Sequence, residues 1–257
     1  MDLKRQKINV LGVDIDDISQ QKAVDAIIKM AKGEISSHYV VTVNAEFVML
    51  ARRDPKFRTI LNGADLAVAD GAWPLWAKLI LGGKEHKRVT GTDLVEKLCE
   101  KSADLPIRVG FFGGFGNVAN SVAKRQKTQY IGLKVVIAEP GDSIIGSDSK
   151  LRSRFSQVGR VDILFVAYGM GRQEFLIEKM RKVVDVGVFI GVGGAFNYLS
   201  TVKKRAPRWL QDWGFEWVWR LFWQPWRAKR MIRVFPLFWI LVLMQYLRQK
   251  LLFAKRR

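Results

Sequence analysis

Apolar positions along the first four-fifths of the chain alternate between short apolar runs and stretches with three-to-four-residue spacing. Ile8 to Val13, Tyr39 to Val43, Leu66 to Ala69, Ile107 to Phe112, Leu133 to Ala138, Val161 to Ala167 and Val186 to Val192 read as strands. Between them, Ala23, Ile27, Met30 and Ala31 give helical spacing to Ile18 to Lys32. Asn44 supplies an N-cap for a helix through Glu46 to Arg52. Asp54-Pro55 supplies a cap and a first-position proline for a helix ending near Asn62-Gly63. Further helices are expected over Thr92 to Lys101, Asn117 to Gln129 and Gln173 to Val183. Strands separated by helices predict an α/β fold with a mainly parallel, helix-covered sheet. Ligands of such sheets bind beyond the carboxyl ends of the strands.

The pattern changes near position 200. Seven of the nine tryptophans lie at 209, 213, 217, 219, 223, 226 and 239, interleaved with arginines. A core over 1–200 and a helical appendage over 201–257 are therefore expected. Phe235 to Leu247 is almost wholly apolar but holds Pro236 and Gln245, and it falls short of a membrane-spanning length. Tryptophan favours the water–hydrocarbon boundary and arginine attracts anionic headgroups, so the appendage reads as lying on a membrane surface. A buried core helix is the plainer alternative.

Composition narrows the partners. The formal net charge of +19 calls for a polyanion: nucleic acid, an anionic leaflet or a phosphorylated substrate. With a single cysteine, Cys99, no internal disulfide forms, which suits a reducing compartment, and with only His38 and His86 no zinc cluster is expected. The short apolar run after the charged N-terminus is interrupted by Asp14, unlike a signal peptide, and a cytoplasmic protein is expected.

Candidate chemistry gathers at the strand exits. Asp70, before Gly71, would project a carboxylate into the cleft as a general base, although aspartates at such places also close turns. Thr42 and Asn44 offer hydrogen-bonding groups at a neighbouring exit. Gly113 and Gly114 let backbone approach a phosphate before a helix, or simply make a tight turn. Arg88 would stabilise a departing diphosphate. Gln173 and Glu174 would bind a base or ribose, or satisfy a helix start. The glycine-rich exit with Gly194 and Asn197 would admit a nucleotide.

Taken together, the blocks VTVNAEFVMLARRDPKFRTILNGADLAVADG (41–71), RVTGTDL (88–94), GFFGGFGNVA (110–119), YGMGRQE (168–174) and the glycine- and tryptophan-rich stretch over 191–230 resemble the WecG/TagA/CpsF glycosyltransferase family. The resemblance implies a Rossmann-like fold, inversion at the anomeric carbon, and no metal or other cofactor. It also implies a UDP-N-acetylmannosamine-like donor and an undecaprenyl-diphosphate-linked sugar acceptor at the cytoplasmic face of a bacterial membrane. It assigns the base to Asp70, a catalytic role at the departing diphosphate to Arg88, and substrate contacts to Thr42, Asn44, Gln173 and Glu174. Arg220, Arg227 and Arg230 are expected to hold a diphosphate when the appendage closes. Two positions depart from the family pattern: Val43 stands where proline is common, and Asn197 where aspartate is common. An anionic membrane surface is the expected macromolecular partner, nucleic acid is not, and a second copy of the chain stays open.

Three rival readings are weaker. A nucleotide-cofactor oxidoreductase would want GxGxxG after a strand, and none is present. A nucleic-acid-binding module is prompted by charge and interleaved aromatics. A membrane-bound scaffold with this fold differs only in turnover.

Overall fold

The computed structural model describes residues 5–35, 37–200, 206–207, 209–210, 216–223 and 228–254. It opens with an antiparallel hairpin, β1 (Lys7–Val10) and β2 (Val13–Asp16), where one strand over 8–13 was expected. Leu11 and Gly12 turn the chain with φ of 54° and 94°. A leucine in the left-handed region carries no turn signature, so the sequence pattern ran straight through it.

The main sheet has six parallel strands in the order β4-β3-β8-β7-β5-β6. These are β3 (His38–Val43), β4 (Leu66–Ala69), β5 (Arg108–Gly113), β6 (Lys134–Glu139), β7 (Val161–Ala167) and β8 (Val186–Gly191). Every residue of β4, β7 and β8 is buried, which is why these strands read as continuous apolar runs. Helices cover both faces, as expected of this fold class. On one face pack α2 (Ala45–Arg53), α3 (Pro55–Asn62), α4 (Ala72–Ile80), α7 (Asp148–Val158) and α8 (Arg172–Met180), together with the hairpin. On the other lie α1 (Gln20–Lys32), α5 (Gly91–Ala103), α6 (Val118–Gln129) and the short α9 (Ala195–Leu199).

The predicted caps are made. Asn44 Oδ1 accepts from Phe47 N at 3.1 Å, and Asp54 Oδ1 accepts from Phe57 N at 3.1 Å with Pro55 following. Each such cap contributes about 1 kcal/mol. They fix where β3 ends and therefore where the site begins.

Beyond position 200 the described residues are mainly helical. They include α10 (Glu216–Trp223) and α11 (Ala228–Ala254). On α11, Phe238 and Val242, one turn apart, are buried against the core. Gln245, one turn further, accepts from Leu11 N at 2.8 Å and donates to Asn9 O at 2.7 Å. The polar residue that interrupts the apolar run is thus the pin that fastens the helix to the hairpin turn. The opposite side exposes Leu237, Ile240, Met244, Leu247 and Leu251. No described helix is long and apolar enough to cross a membrane.

Candidate active site

Asp70 and Arg88 flank one strand end. Asp70 follows the last residue of β4, and its backbone N–H donates to Val43 O at 2.8 Å. Val89 N donates to the preceding carbonyl, Ala69 O, at 3.0 Å, which lays the Arg88 segment beside the same exit. Gly71 takes φ of 95°, a conformation that favours glycine, and starts α4. The Asp70 side chain is half-buried at the carboxyl edge, the end where ligands of parallel sheets sit.

The neighbouring exits are tied together by side chains. Thr42 is buried, and its hydroxyl donates to Gly191 O at 2.9 Å, stapling β3 to β8. Asn44 spends its carbonyl oxygen on the α2 cap, so its remaining hydrogen-bonding capacity is as a donor through the amide N–H groups. Gln173 is fully buried and reaches from α8 to the loop after β8, where its Oε1 accepts from Gly193 N at 2.9 Å. Glu174 Oε2 accepts from Gly171 N at 2.7 Å. A side chain at position 191 would collide with Gln173 Nε2 at 2.8 Å, so Gly191 is the gap through which this pair passes. Gln173 and Glu174 therefore hold two glycine loops in register. That placement matches the helix-start alternative for Glu174 and adds a loop contact for Gln173 that its position in the sequence did not suggest. Nothing crowds Gly193 or Gly194, and Asn197 lies half-buried on α9 just beyond.

Gly113 and Gly114 sit further along the edge. A Cβ on Gly113 would lie 2.7 Å from Ala167 O, and Gly114 N donates to that same carbonyl at 2.8 Å. Close approach of β5 to β7 accounts for this glycine pair as a tight turn. Three strands separate β5 from β4, which at strand spacing is roughly 19 Å, too far for one phosphate to touch both Gly113 and Asp70. The exits thus form two halves of one edge, Asp70-Arg88-Asn44 at one end and Gly113-Gly114 at the other, with the Gly191 to Gly194 loop between.

Glu174 is the strongly perturbed acid at this edge. Burial pushes its carboxyl up to about 7, against the hydrogen bond from Gly171. The folded protein keeps a proton that the unfolded chain releases from about pH 4.5 upward, so stability is fullest below that pH. It falls as pH rises through about 7, by on the order of 3 kcal/mol. Glu174→Gln keeps an acceptor for Gly171 N–H and removes the charge. Thermal unfolding at pH 5 and pH 8 should show a wild-type drop in midpoint that shrinks in this variant; an unchanged drop would contradict the assignment.

Two features of the site escaped the sequence reading. Glu216, at the start of α10, places Oε2 3.2 Å from Arg88 Nη1. Lys78 of α4 is buried and pairs with Asp17 at 2.7 Å. Asp17 also accepts from Lys84 N and Glu85 N, which sets the course of the chain toward Arg88. Of the expected appendage arginines, Arg227 and the side chains of Arg220 and Arg230 lie outside the described residues.

A parallel sheet whose carboxyl edge gathers an aspartate, an arginine and open glycine loops places the chain among α/β proteins, a class whose ligands commonly sit at the strand ends. The family model described as the glycosyl transferase WecG/TagA/CpsF family matches residues 8–252, and the chain belongs to this family of glycosyltransferases. It is 30% identical over 196 residues to the N-acetylglucosaminyldiphosphoundecaprenol N-acetyl-beta-D-mannosaminyltransferase of Bacillus spizizenii, covering 76% of this chain and 75% of that protein. It is 28% identical over 216 residues to the protein of the same name from Bacillus subtilis, covering 84% and 83%.

Proposed function

We propose that this glycosyltransferase moves an N-acetylmannosamine-type sugar from UDP onto a polyprenyl-diphosphate-linked N-acetylglucosamine in cell-surface polymer synthesis. The observation that carries the reading is that the Val89–Ala69 hydrogen bond lays the Arg88 segment beside the strand exit that Asp70 occupies. The substrates are those in the names of the two relatives. In a single displacement, Asp70 takes the proton from the acceptor hydroxyl as that oxygen bonds to the anomeric carbon. The bond from that carbon to the UDP oxygen breaks on the opposite side, inverting the centre. Arg88, with Arg220, Arg227 and Arg230 of the appendage, neutralises the charge gathering on UDP, so the chemistry needs no metal. Asn44, Gly194 and Asn197 line the edge where donor sugar and nucleotide lie, and Gln173 and Glu174 hold the loops that carry them. The division into a core over 1–200 and an appendage over 201–257 follows from these roles.

The test is UDP release from UDP-N-acetylmannosamine with a short-chain polyprenyl-diphosphate-N-acetylglucosamine. Release that requires both substrates supports the proposal. Release with neither this donor nor other UDP-sugars in the presence of the acceptor would overturn it.

The appendage reads as the attachment to the cytoplasmic face of the membrane. Exposed Leu237, Ile240, Met244, Leu247 and Leu251 repeat at intervals of three and four, one apolar stripe on a helix whose other side is pinned to the core. Laid on a bilayer, the stripe buries its side chains while the cationic chain meets anionic headgroups. Replacing Leu247 and Leu251 together with serine should cut binding to anionic vesicles at least tenfold, because each leucine contributes roughly 1.5 kcal/mol or more on burial. Flotation with vesicles rich in anionic lipid measures this. Unchanged flotation would remove the stripe from the account. Sedimentation without lipid shows whether the same spacing instead serves a second copy.

A further inference from the structure

Arg88 and Glu216 are both largely withdrawn from solvent, at 16% and 8% side-chain exposure, with Nη1 and Oε2 3.2 Å apart. Glu216 is the first residue of α10. The next residue, Trp217, meets Trp73 of α4 edge-on with ring centroids 5.7 Å apart. Phe235 of α11 packs on the same Trp73 at 4.2 Å. Because α4 starts directly after Asp70-Gly71, these rings seat the appendage on the helix that leaves the proposed catalytic turn. Among the described residues, the carboxylate of Glu216 is a charged group that this seating brings to Arg88.

We propose that Glu216 is a positioning residue for the diphosphate site: its carboxylate holds the Arg88 guanidinium in place and tempers its hold on UDP, so that the product leaves. The inference rests on Arg88 being the diphosphate partner. A guanidinium has five donors in a fixed fork, so it can keep a carboxylate on one side and take phosphate oxygens on another. A negative charge held this close weakens the attraction of the same cation for a second anion. The effect is large here because a pair withdrawn from water is poorly screened. Without Glu216, Arg88 would turn more of its positive charge toward the diphosphate, in a chain of net charge +19. Extra affinity that acts equally on the bound donor, the transition state and the product adds nothing to the rate of the chemical step, and it slows release.

This predicts a sign that an ordinary structural contact does not. Loss of a merely structural ion pair would loosen the appendage, and UDP affinity and turnover would fall together. Loss of a tempering carboxylate makes UDP bind more tightly while turnover falls.

The experiment is calorimetric titration with UDP, alongside steady-state UDP release, for wild type, Glu216→Gln, Glu216→Asp, Arg88→Ala and the Arg88→Ala/Glu216→Gln double variant. Glu216→Gln should bind UDP about tenfold more tightly and turn over several-fold more slowly. Glu216→Asp, which withdraws the carboxylate by one methylene, should tighten binding by a smaller factor. It carries the test if Glu216→Gln does not fold. On the Arg88→Ala background, Glu216→Gln should leave UDP affinity unchanged. Unchanged or weaker UDP binding in both single Glu216 variants would overturn the proposal. Wild-type UDP affinity in Arg88→Ala would instead overturn the reading of Arg88 on which it rests, so the two failures are told apart.

Discussion

Asp70→Asn should lower the single-turnover rate of sugar transfer about 10³-fold while UDP affinity stays within about threefold, because a positioned general base contributes 10²–10⁴-fold. The substitution is close to isosteric. The backbone that places residue 70, its N–H on Val43 O and the φ of 95° at Gly71, is untouched by a change of one side-chain atom. What is lost is the capacity to receive a proton: an amide oxygen accepts a hydrogen bond but does not become an acid near neutral pH. The loss should fall on the chemical step alone, since the attraction for diphosphate is assigned to Arg88 and the appendage. Rapid mixing of enzyme with both substrates, paired with a UDP titration, separates rate from binding. A variant that turns over like wild type would remove Asp70 from the mechanism. One that no longer binds UDP would make it a structural aspartate.

The second large effect is on stability. Lys78 is 1% exposed at the side chain and Asp17 5%, and they meet at 2.7 Å. Burial pushes the Asp17 carboxyl up. The Lys78 ammonium and the backbone donors of Lys84 and Glu85 outweigh that push and hold it below its ordinary value. Asp17→Asn leaves a lysine stranded in the interior beside α4, and removing one partner of such a pair costs about 3–5 kcal/mol. It also loosens the two backbone anchors that lead the chain to Arg88, so UDP affinity should drop with stability. Urea unfolding of the variant should show a loss of unfolding free energy of that size. A loss under about 1 kcal/mol would mean water reaches the pair. In wild type the sign with pH is fixed by the depressed value: the Asp17 contribution is present above about pH 3.8 and is lost as pH falls through the folded value.

Much of the scaffold was legible. The six strands of the main sheet are short, mostly apolar runs, and Asn44 and Asp54-Pro55 announce the helices they cap. Because a parallel sheet puts all its exits on one edge, the loops at Asp70, Asn44, Gly113, Gly169 and Gly191 could be assigned to that edge from the sequence alone. Other elements were hidden for stated reasons. The helix Ala72–Ile80 buries Ala72, Trp73, Leu75 and Ala77 while exposing Trp76 and Ile80, so it is apolar all round and has no polar face to give a period. In Asp148–Val158 the only buried residues are Leu151 and Phe155, too faint a stripe to read.

Within the site, position was legible and partnership was not. Nothing local in the sequence tells that Gln173 reaches Gly193, that Lys78 seeks Asp17, or that Arg88 meets Glu216. These are contacts between side chains brought together only by the sheet order and by the docking of the appendage. Gln245 shows the same limit in reverse. In the sequence it breaks an apolar run; in the fold it fastens that run to the hairpin.

UDP is expected to lie across the carboxyl edge of the sheet beside β4. A structure determined with UDP bound tests this most directly. It should show diphosphate oxygens within hydrogen-bonding distance of the Arg88 guanidinium, and the Asp70 carboxylate open to the same cavity. A nucleotide seated at the opposite edge of the sheet, or an Asp70 side chain turned away from the bound diphosphate, would contradict it.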